Sequence, residues 1–182
     1  MSYQIRQPIA SLRPYIRHLA ISRAETAQNY NVLPDTALVV GFQFSGRLSH
    51  ITGNIEQPLH TSGITGLLDS YRIFKNNTET GSILIVFTET GAANFLDIPM
   101  HELFGQSLSL EHFFNRAAII ETQEKLETAG TDNERLKIVE NFLLGQIKER
   151  KADRLVAGAH HYIYNSKGTI RMTALAELLR SE

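Results

Sequence analysis

Histidine can act as an acid, a base or a metal ligand, and the sequence contains seven histidines. A strand that holds a metal ion typically carries two histidines two positions apart, so that both rings point to one side. Five of the seven are isolated from one another: His18, His50, His60, His101 and His112. The other two, His160 and His161, are neighbours that would point about 100° apart on a helix. The spacing therefore argues against a metal site. His50 and His60 are the best candidate pair, provided that their strands meet.

Motifs for nucleophilic catalysis and phosphate binding are absent from the sequence. It contains no cysteine and no Gly-x-Ser-x-Gly elbow. The segment Gly63-Ile-Thr-Gly66 is too short for a phosphate loop, and no Lys-Ser/Thr pair follows it. Glu89 and Asp97 follow an apolar strand, where carboxylates are usually only solvated. We therefore expect no catalytic residue, no bound cofactor and no enzyme activity.

Aromatic side chains are the remaining candidates for a binding function. Five of them could line the interior of a strand-rich domain and bind a ligand: Phe42, Phe44, Tyr71, Phe74 and Phe87. Gln43, Arg72 and Thr88 fall on the opposite alternation. Aromatic walls with a few polar groups would form a pocket for a small molecule. The alternative is that these rings simply fill the interior, as side chains do in many small barrels.

Short strands must position these rings. The clearest strand runs from Leu38 to Phe44, where apolar residues alternate with Val39, Gly41 and Gln43. Residues 82–87 form a continuous apolar run that we expect to be buried on both faces. Turn signals rich in Gly, Asn and Pro separate several further short strands. The pattern predicts an α+β protein whose residues 1–115 form a β-barrel or sandwich, cupin-like in outline.

The pattern becomes helical after the apolar strand. Residues 119–128 form an amphipathic helix, and Thr131-Asp-Asn-Glu134 is a capping box that opens a second one. We assign residues 116–150 to a helical linker subdomain. The wide apolar face of the helix from Asp132 to Lys148 is our candidate dimer surface, although the same face could pack on the barrel.

The last part of the chain, residues 151–182, predicts two more helices. The charged segment from Lys148 to Arg154 is the expected linker. A helix from Leu155 to Tyr164 is broken near Gly168, and a helix from Thr173 to Arg180 follows, with Thr173 as its N-cap. Its apolar stripe consists of Leu175, Leu178 and Leu179. This helix either packs back on its own domain or opens a helix-turn-helix whose second helix is not present in this chain.

Composition limits the function further. The 182 residues are 42% hydrophobic and 20% charged, with a formal net charge of −1. A module whose main task is binding phosphates would usually be basic, so we do not expect the bulk of the chain to bind nucleic acid. Only the segment from Lys148 onward has a surplus of basic residues. We see neither a signal peptide nor an apolar run that could span a membrane, and we expect a cytoplasmic protein.

The order of these features resembles the sensor portion of an AraC/XylS-type transcriptional regulator. The resemblance spans nearly the whole chain and rests on a co-linear set of segments rather than on one motif. These segments are Leu12-Arg-Pro-Tyr-Ile16, Leu33-Pro-Asp35, Gly63-Ile-Thr-Gly66, Ile85 to Ala92, Phe95 to Gly105, a helical region with Arg135 and Glu140, and Ile163 to Ala176. After Asp35 the chain has Thr36 where the family pattern would have glycine, so this turn departs from it.

The resemblance implies a β-rich domain that senses a small-molecule effector or forms a homodimer, joined by a helical linker to a domain with two helix-turn-helix units. The first helix of such a unit crosses the DNA backbone, and the second enters the major groove. By this resemblance, Lys167, Arg171 and Thr173 are candidate contacts to the DNA backbone. Sequence-specific DNA binding would then require the full-length protein.

Two other hypotheses remain open at the level of the sequence. The chain could be a stand-alone cupin-like barrel that binds a small molecule or acts as an enzyme. It could also be a pure oligomerisation domain whose barrel is filled by its own side chains. A ligand that stabilises the fold would distinguish a sensor from a filled barrel.

Overall fold

The computed structural model of this chain describes residues 1–148, 150 and 153–180. The chain divides into two compact units, Met1–Lys148 and Glu149–Glu182. Residues 149, 151 and 152 of the charged segment predicted as a linker lie outside the described residues. The first unit contains strands and helices around one continuous hydrophobic core, and the second contains two helices.

The first unit is built on two antiparallel sheets. Its strands are β1 (Ser2–Arg6), β2 (Ile16–Ala24), β3 (Gln28–Val32), β4 (Val39–Ser45), β5 (Leu48–Thr52), β6 (Ile55–Pro58), β7 (Ser62–Thr65), β8 (Arg72–Asn76), β9 (Thr80–Phe87) and β10 (Ser107–Ser109). The larger sheet has the order β1-β2-β9-β4-β7-β10, and the smaller one β3-β8-β5-β6. The predicted strands over 38–44 and 82–87 are confirmed as β4 and β9. Our sequence analysis missed β1, β3 and β10.

Two helices, α1 (Arg116–Thr128) and α2 (Asp132–Gln146), cover one face of the larger sheet. The Phe42 ring of β4 meets the Phe142 ring of α2 edge to face, with centroids 5.4 Å apart. From α1, the Gln123 Nε2 donates a hydrogen bond of 2.7 Å to the backbone carbonyl oxygen of Gln43. The opposite face of the larger sheet faces the smaller sheet.

The start of α2 confirms the predicted capping box. The Thr131 hydroxyl accepts a hydrogen bond from the Glu134 N–H at 3.2 Å, and the Glu134 carboxylate accepts one from the Thr131 N–H at 3.0 Å. The apolar face of α2, however, is not a free dimer surface. Its members Val139 and Leu143 are almost fully buried in the core of their own unit, so the alternative of packing on the sheet holds.

Gln43 ties the two sheets together at the end of β4. Its side chain is 3% exposed, and both ends of its amide are used. The Oε1 atom accepts a hydrogen bond of 2.8 Å from the Leu48 N–H at the start of β5, and Nε2 donates one of 2.7 Å to the His60 carbonyl oxygen. This buried polar residue is therefore satisfied by the backbone of the segments that lead into and out of the smaller sheet.

Several segments that carry the family resemblance meet after β9. Thr88 donates its N–H to the Tyr15 carbonyl oxygen at 2.8 Å, and the Tyr15 ring meets Phe95 edge to face at 5.8 Å. Gly91 also lies close to Tyr15, because a Cβ added at Gly91 would be 2.0 Å from the same Tyr15 oxygen. These motif residues therefore have a structural role, because they pack closely against Tyr15.

The second unit is a pair of helices, α3 (Arg154–Asn165) and α4 (Met172–Arg180), joined by a tight turn. The Asp153 carboxylate caps α3 by accepting the Leu155 N–H at 2.9 Å. The Gly168 N–H closes the end of α3 on the Ile163 carbonyl oxygen at 2.9 Å, with Gly168 at a φ of +75°.

Helix α4 begins earlier than predicted. The Leu175 N–H donates to the Arg171 carbonyl oxygen at 2.9 Å, and Met172 is already helical. Thr173 therefore lies inside the first turn and is not the N-cap, because the first helical bond starts two residues before it. Leu175 is the buried member of the predicted stripe, while Leu178 remains 38% exposed.

Candidate ligand-binding site

A cavity of about 560 Å³ lies between the two sheets of the first unit. The larger sheet lines it mainly with β4 and β9, through Val39, Gly41, Gln43, Ser82, Leu84 and Val86. The smaller sheet contributes Tyr30, Val32, Leu48 and Phe74. A volume of this size falls in the range of sites that bind small molecules.

The structure separates the five aromatic residues that we expected to line one interior. Phe74 lines the cavity, where its ring stacks on Tyr30 with centroids 6.0 Å apart. Phe42, Phe44 and Phe87 lie instead in the hydrophobic core on the helix-covered side of the larger sheet. Tyr71 is 59% exposed and is not among the residues that line the cavity.

The correction follows from the alternation of β4. Successive side chains of a strand point to opposite faces, so Phe42 and Gln43 cannot share an environment. We assigned the larger aromatic residues to the ligand side and the residues Val39, Gly41 and Gln43 to the other. The packing of α1 and α2 on the Phe42 face reverses that assignment, and the smaller side chains leave the space that forms the cavity.

Two tyrosines that our sequence analysis did not single out line the cavity from opposite sheets. Tyr3 lies on β1 and Tyr30 on β3, the two N-terminal strands that we missed. Burial and then the nearby Asp35 carboxylate raise the pKa of Tyr3. Burial and then Tyr3 raise the pKa of Tyr30 to about 12. The alternation of Tyr3 with Ile5 was the available signal for β1, but the flanking residues are polar.

His18 and Asp35 also line the cavity. Burial and then the adjacent Arg17 lower the pKa of His18 below its ordinary value, against the opposing effect of Asp35. His18 is therefore a neutral imidazole at neutral pH.

An ion-pair network involving Arg17 holds the turn at this end of the cavity. The Arg17 Nη1 donates to both Asp35 carboxylate oxygens at 3.1 Å, and Nη2 donates to Glu89 at 2.7 Å. Burial raises the pKa of Asp35, but hydrogen bonds from Arg17 and Thr36 outweigh this effect and leave it below its ordinary value. The network fixes the Pro34-Asp35 turn that was prominent in the sequence.

The histidine pair considered in the sequence does not form a shared site. His60 lines the cavity, whereas the His50 ring tilts against Phe74 with centroids 5.6 Å apart and is not part of the lining. Within residues 1–148, 150 and 153–180, no group of three or more His, Cys, Asp or Glu side chains could hold a metal ion.

The three residues proposed to contact DNA lie in the second unit. Lys167 is in the turn after α3, Arg171 precedes α4, and Thr173 is in its first turn. All three are exposed. DNA contact by these side chains remains a prediction.

Comparison with known proteins identifies the family of the first unit. Residues 4–109, which include most of the residues that line the cavity, match the family described as a domain of unknown function, DUF6597. The chain belongs to this family. No curated protein matches the sequence.

Two solved structures are similar to this chain. Apo ToxT K231A from Vibrio cholerae is similar with a TM-score of 0.51 and 9% sequence identity, over 96% of this chain and 72% of that chain. The AraC-like transcriptional activator CuxR is similar with a TM-score of 0.38 and 14% identity, over 97% and 75% of the two chains. At this identity, the ToxT comparison shows similarity of fold.

None of the helices among the described residues is long and apolar enough to cross a membrane.

Proposed function

We propose that this chain is the effector-sensing and dimerisation region of a cytoplasmic AraC-type transcriptional regulator. In this proposal the cavity between the sheets binds a small-molecule effector, and α3 and α4 belong to the start of the helix-turn-helix domain. Sequence-specific DNA binding is then a property of the full-length protein.

The observation that carries the proposal is the cavity itself. It measures about 560 Å³, residues of both sheets line it, and small residues such as Gly41 and Gly63 contribute to its lining. A barrel filled by its own side chains would leave no such space. The cavity therefore favours a sensor over a domain that only oligomerises.

The fold supports the regulatory part of the proposal. The co-linear segments of the sequence resemble an AraC-type regulator, and the fold of ToxT from Vibrio cholerae is similar over nearly the whole chain. The order of elements in this chain is also the one that such a regulator needs, with a β-rich domain, then α1 and α2, then a separate two-helix unit. Exposed apolar side chains of the second unit, among them Val156 and Met172, would be covered by the remaining helices of a DNA-binding domain.

Ligand binding can be tested by thermal-shift screening of this chain against a library of small molecules. A compound that binds the cavity should raise the melting temperature, because a ligand that binds only the folded state stabilises it by mass action. Val39→Trp places a large ring in the cavity lining and should abolish the shift. Ile55→Trp is the matched control, since Ile55 is 62% exposed on β6 and outside the lining.

Two outcomes of this screen would contradict a sensor. One is that no compound stabilises the wild-type chain. The other is that the thermal shift persists unchanged in Val39→Trp.

DNA binding is tested separately by a gel shift with this chain. We expect no sequence-specific complex, because a helix-turn-helix reads bases with its second helix. A tight, sequence-dependent shift by this chain would contradict the assignment of α4 as a first helix.

A further inference from the structure

The cavity has a chemical character that limits what it can bind. Most of its lining is aliphatic or aromatic, with Val39, Ile64, Leu84, Val86 and Leu108 among the aliphatic members. A ligand that fills this space must present apolar surface to these side chains, because burying an unpaired polar group against them costs free energy. The body of the ligand is therefore apolar.

The charges around the cavity argue against an anionic ligand. No lysine or arginine is among the residues that line it, and the α-amino group of Met1, which also lines the cavity, belongs to a residue that is 54% exposed. His18 is neutral, since burial and Arg17 lower its pKa. The one carboxylate in the lining, Asp35, already accepts hydrogen bonds from Arg17 and Thr36. A buried carboxylate ligand would thus find no cationic partner among the lining side chains.

Two tyrosine hydroxyls are among the hydrogen-bond donors that remain for a ligand, beside the ring N–H groups of His18 and His60. The Gln43 amide is used by the Leu48 N–H and the His60 carbonyl oxygen. The hydroxyls of Tyr3 and Tyr30, by contrast, make no hydrogen bond within the part of the chain that the structure describes. Both phenols stay protonated at neutral pH because their pKa values are raised.

The two tyrosines belong to different sheets. Tyr3 belongs to the edge strand β1 of the larger sheet and Tyr30 to the edge strand β3 of the smaller one. The Tyr30 ring is held by its stacking on Phe74. Both phenols line the same cavity, and Tyr3 is among the groups that raise the pKa of Tyr30, so one bound molecule can meet both hydroxyls.

We infer that the cavity binds a neutral, largely apolar molecule that carries a hydrogen-bond acceptor, such as a carbonyl group, and that Tyr3 and Tyr30 recognise this acceptor through their hydroxyls. The inference rests on the proposed sensor function and names the class of effector.

Three probes of matched shape test it by calorimetry at about pH 8, where imidazoles of ordinary pKa are neutral. They are para-acetylbiphenyl with a neutral acceptor, para-biphenylcarboxylate with an anion, and para-ethylbiphenyl with neither. We expect the acetyl compound to bind about fivefold more tightly than the ethyl compound, and the carboxylate to bind most weakly.

Variants assign the recognition to the two phenols. Tyr3→Phe and Tyr30→Phe should each weaken binding of the acetyl compound by about fivefold, the effect of one lost hydrogen bond, and leave the ethyl compound unchanged. Tyr71→Phe is the control, since Tyr71 is exposed and outside the lining. Circular dichroism of each variant checks that its fold is retained.

The possible failures are distinguishable. Any of three results overturns the inference. The carboxylate could bind most tightly, both Tyr→Phe variants could lose equal affinity for the acetyl and ethyl compounds, or no probe could bind. If another compound then stabilises the wild type but not Val39→Trp, the sensor function still stands. If no compound does, both proposals fall.

Discussion

The Phe42 ring in β4 and the Phe142 ring in α2 meet edge to face, with centroids 5.4 Å apart and planes at 80°. Phe114 adds a second edge contact to Phe142 at 5.5 Å. These three rings attach α2 to the helix-covered side of the larger sheet. Because the opposite side of the same sheet lines the cavity, the contact decides which residues of β4 can face a ligand.

Truncating Phe142 should therefore destabilise the first unit. We expect Phe142→Ala to lower the free energy of unfolding by about 3–5 kcal/mol, the usual cost of removing a buried aromatic ring. Urea denaturation measures the effect. Leu144→Ala is a control on the same helix, because Leu144 is 40% exposed, and it should cost much less. Equal losses in the two variants would contradict the packing described for α2.

Gln43 offers a test of the connection between the sheets. Gln43→Leu keeps the approximate volume but leaves the Leu48 N–H and the His60 carbonyl oxygen without their partner. Each group left unpaired should cost about 1–3 kcal/mol of stability, as measured by chemical denaturation. Gln57→Leu, at an exposed position of β6, should be close to neutral. A neutral Gln43→Leu would show that the amide does not join the sheets.

Gly66 and Gly145 should respond to alanine with opposite signs. An added Cβ at Gly66 would lie 1.7 Å from the Leu103 carbonyl oxygen, so Gly66→Ala must displace backbone and should strongly lower the melting temperature. Gly145 is in α2 with nothing within 4 Å of an added Cβ. Gly145→Ala should stabilise by up to about 1 kcal/mol, the difference in helix propensity. Tolerance of Gly66→Ala would disprove the close approach of β7 to the segment around Leu103.

The Asp35 carboxylate should make the first unit less stable in acid. Its pKa in the folded state lies below the ordinary value of 3.8, so the unfolded state binds more protons as the pH falls through this region. The stabilisation is then fully present above the unfolded pKa and is lost as the pH falls through the lower, folded one.

This dependence can be isolated with Asp35→Asn. The free energy of unfolding, measured between about pH 6 and pH 3, should decline more steeply for the wild type than for the variant. High salt should reduce the difference, because the ion pair with Arg17 is partly exposed and therefore screened. Parallel curves for the two proteins would show that Arg17 does not stabilise the ionised carboxylate.

Local patterns were sufficient for several elements. The capping box from Thr131 to Glu134 identified the start of α2, because its hydrogen bonds join residues only three positions apart. The alternation of β4 and the apolar run of β9 identified two central strands, because both patterns are visible within a few consecutive residues. The break near Gly168 separated α3 from α4, since the positive φ at that position favours glycine.

The cavity lining was decided by contacts between distant parts of the chain. Alternation in β4 divides its residues into two sets, but it does not say which set faces a ligand. The docking of Phe142, a hundred residues later, buries the Phe42 set and leaves Gly41 and Gln43 to the cavity. Tyr3 and Tyr30 were missed because their short polar strands are defined by pairing with β2 and β8 rather than by their own periodicity. The sequence by itself thus determined the strands and helices that have a strong local pattern, such as β4, β9 and α2. Only the tertiary structure decided where the short polar strands form and which faces of the sheets line the cavity, because both depend on packing between distant elements.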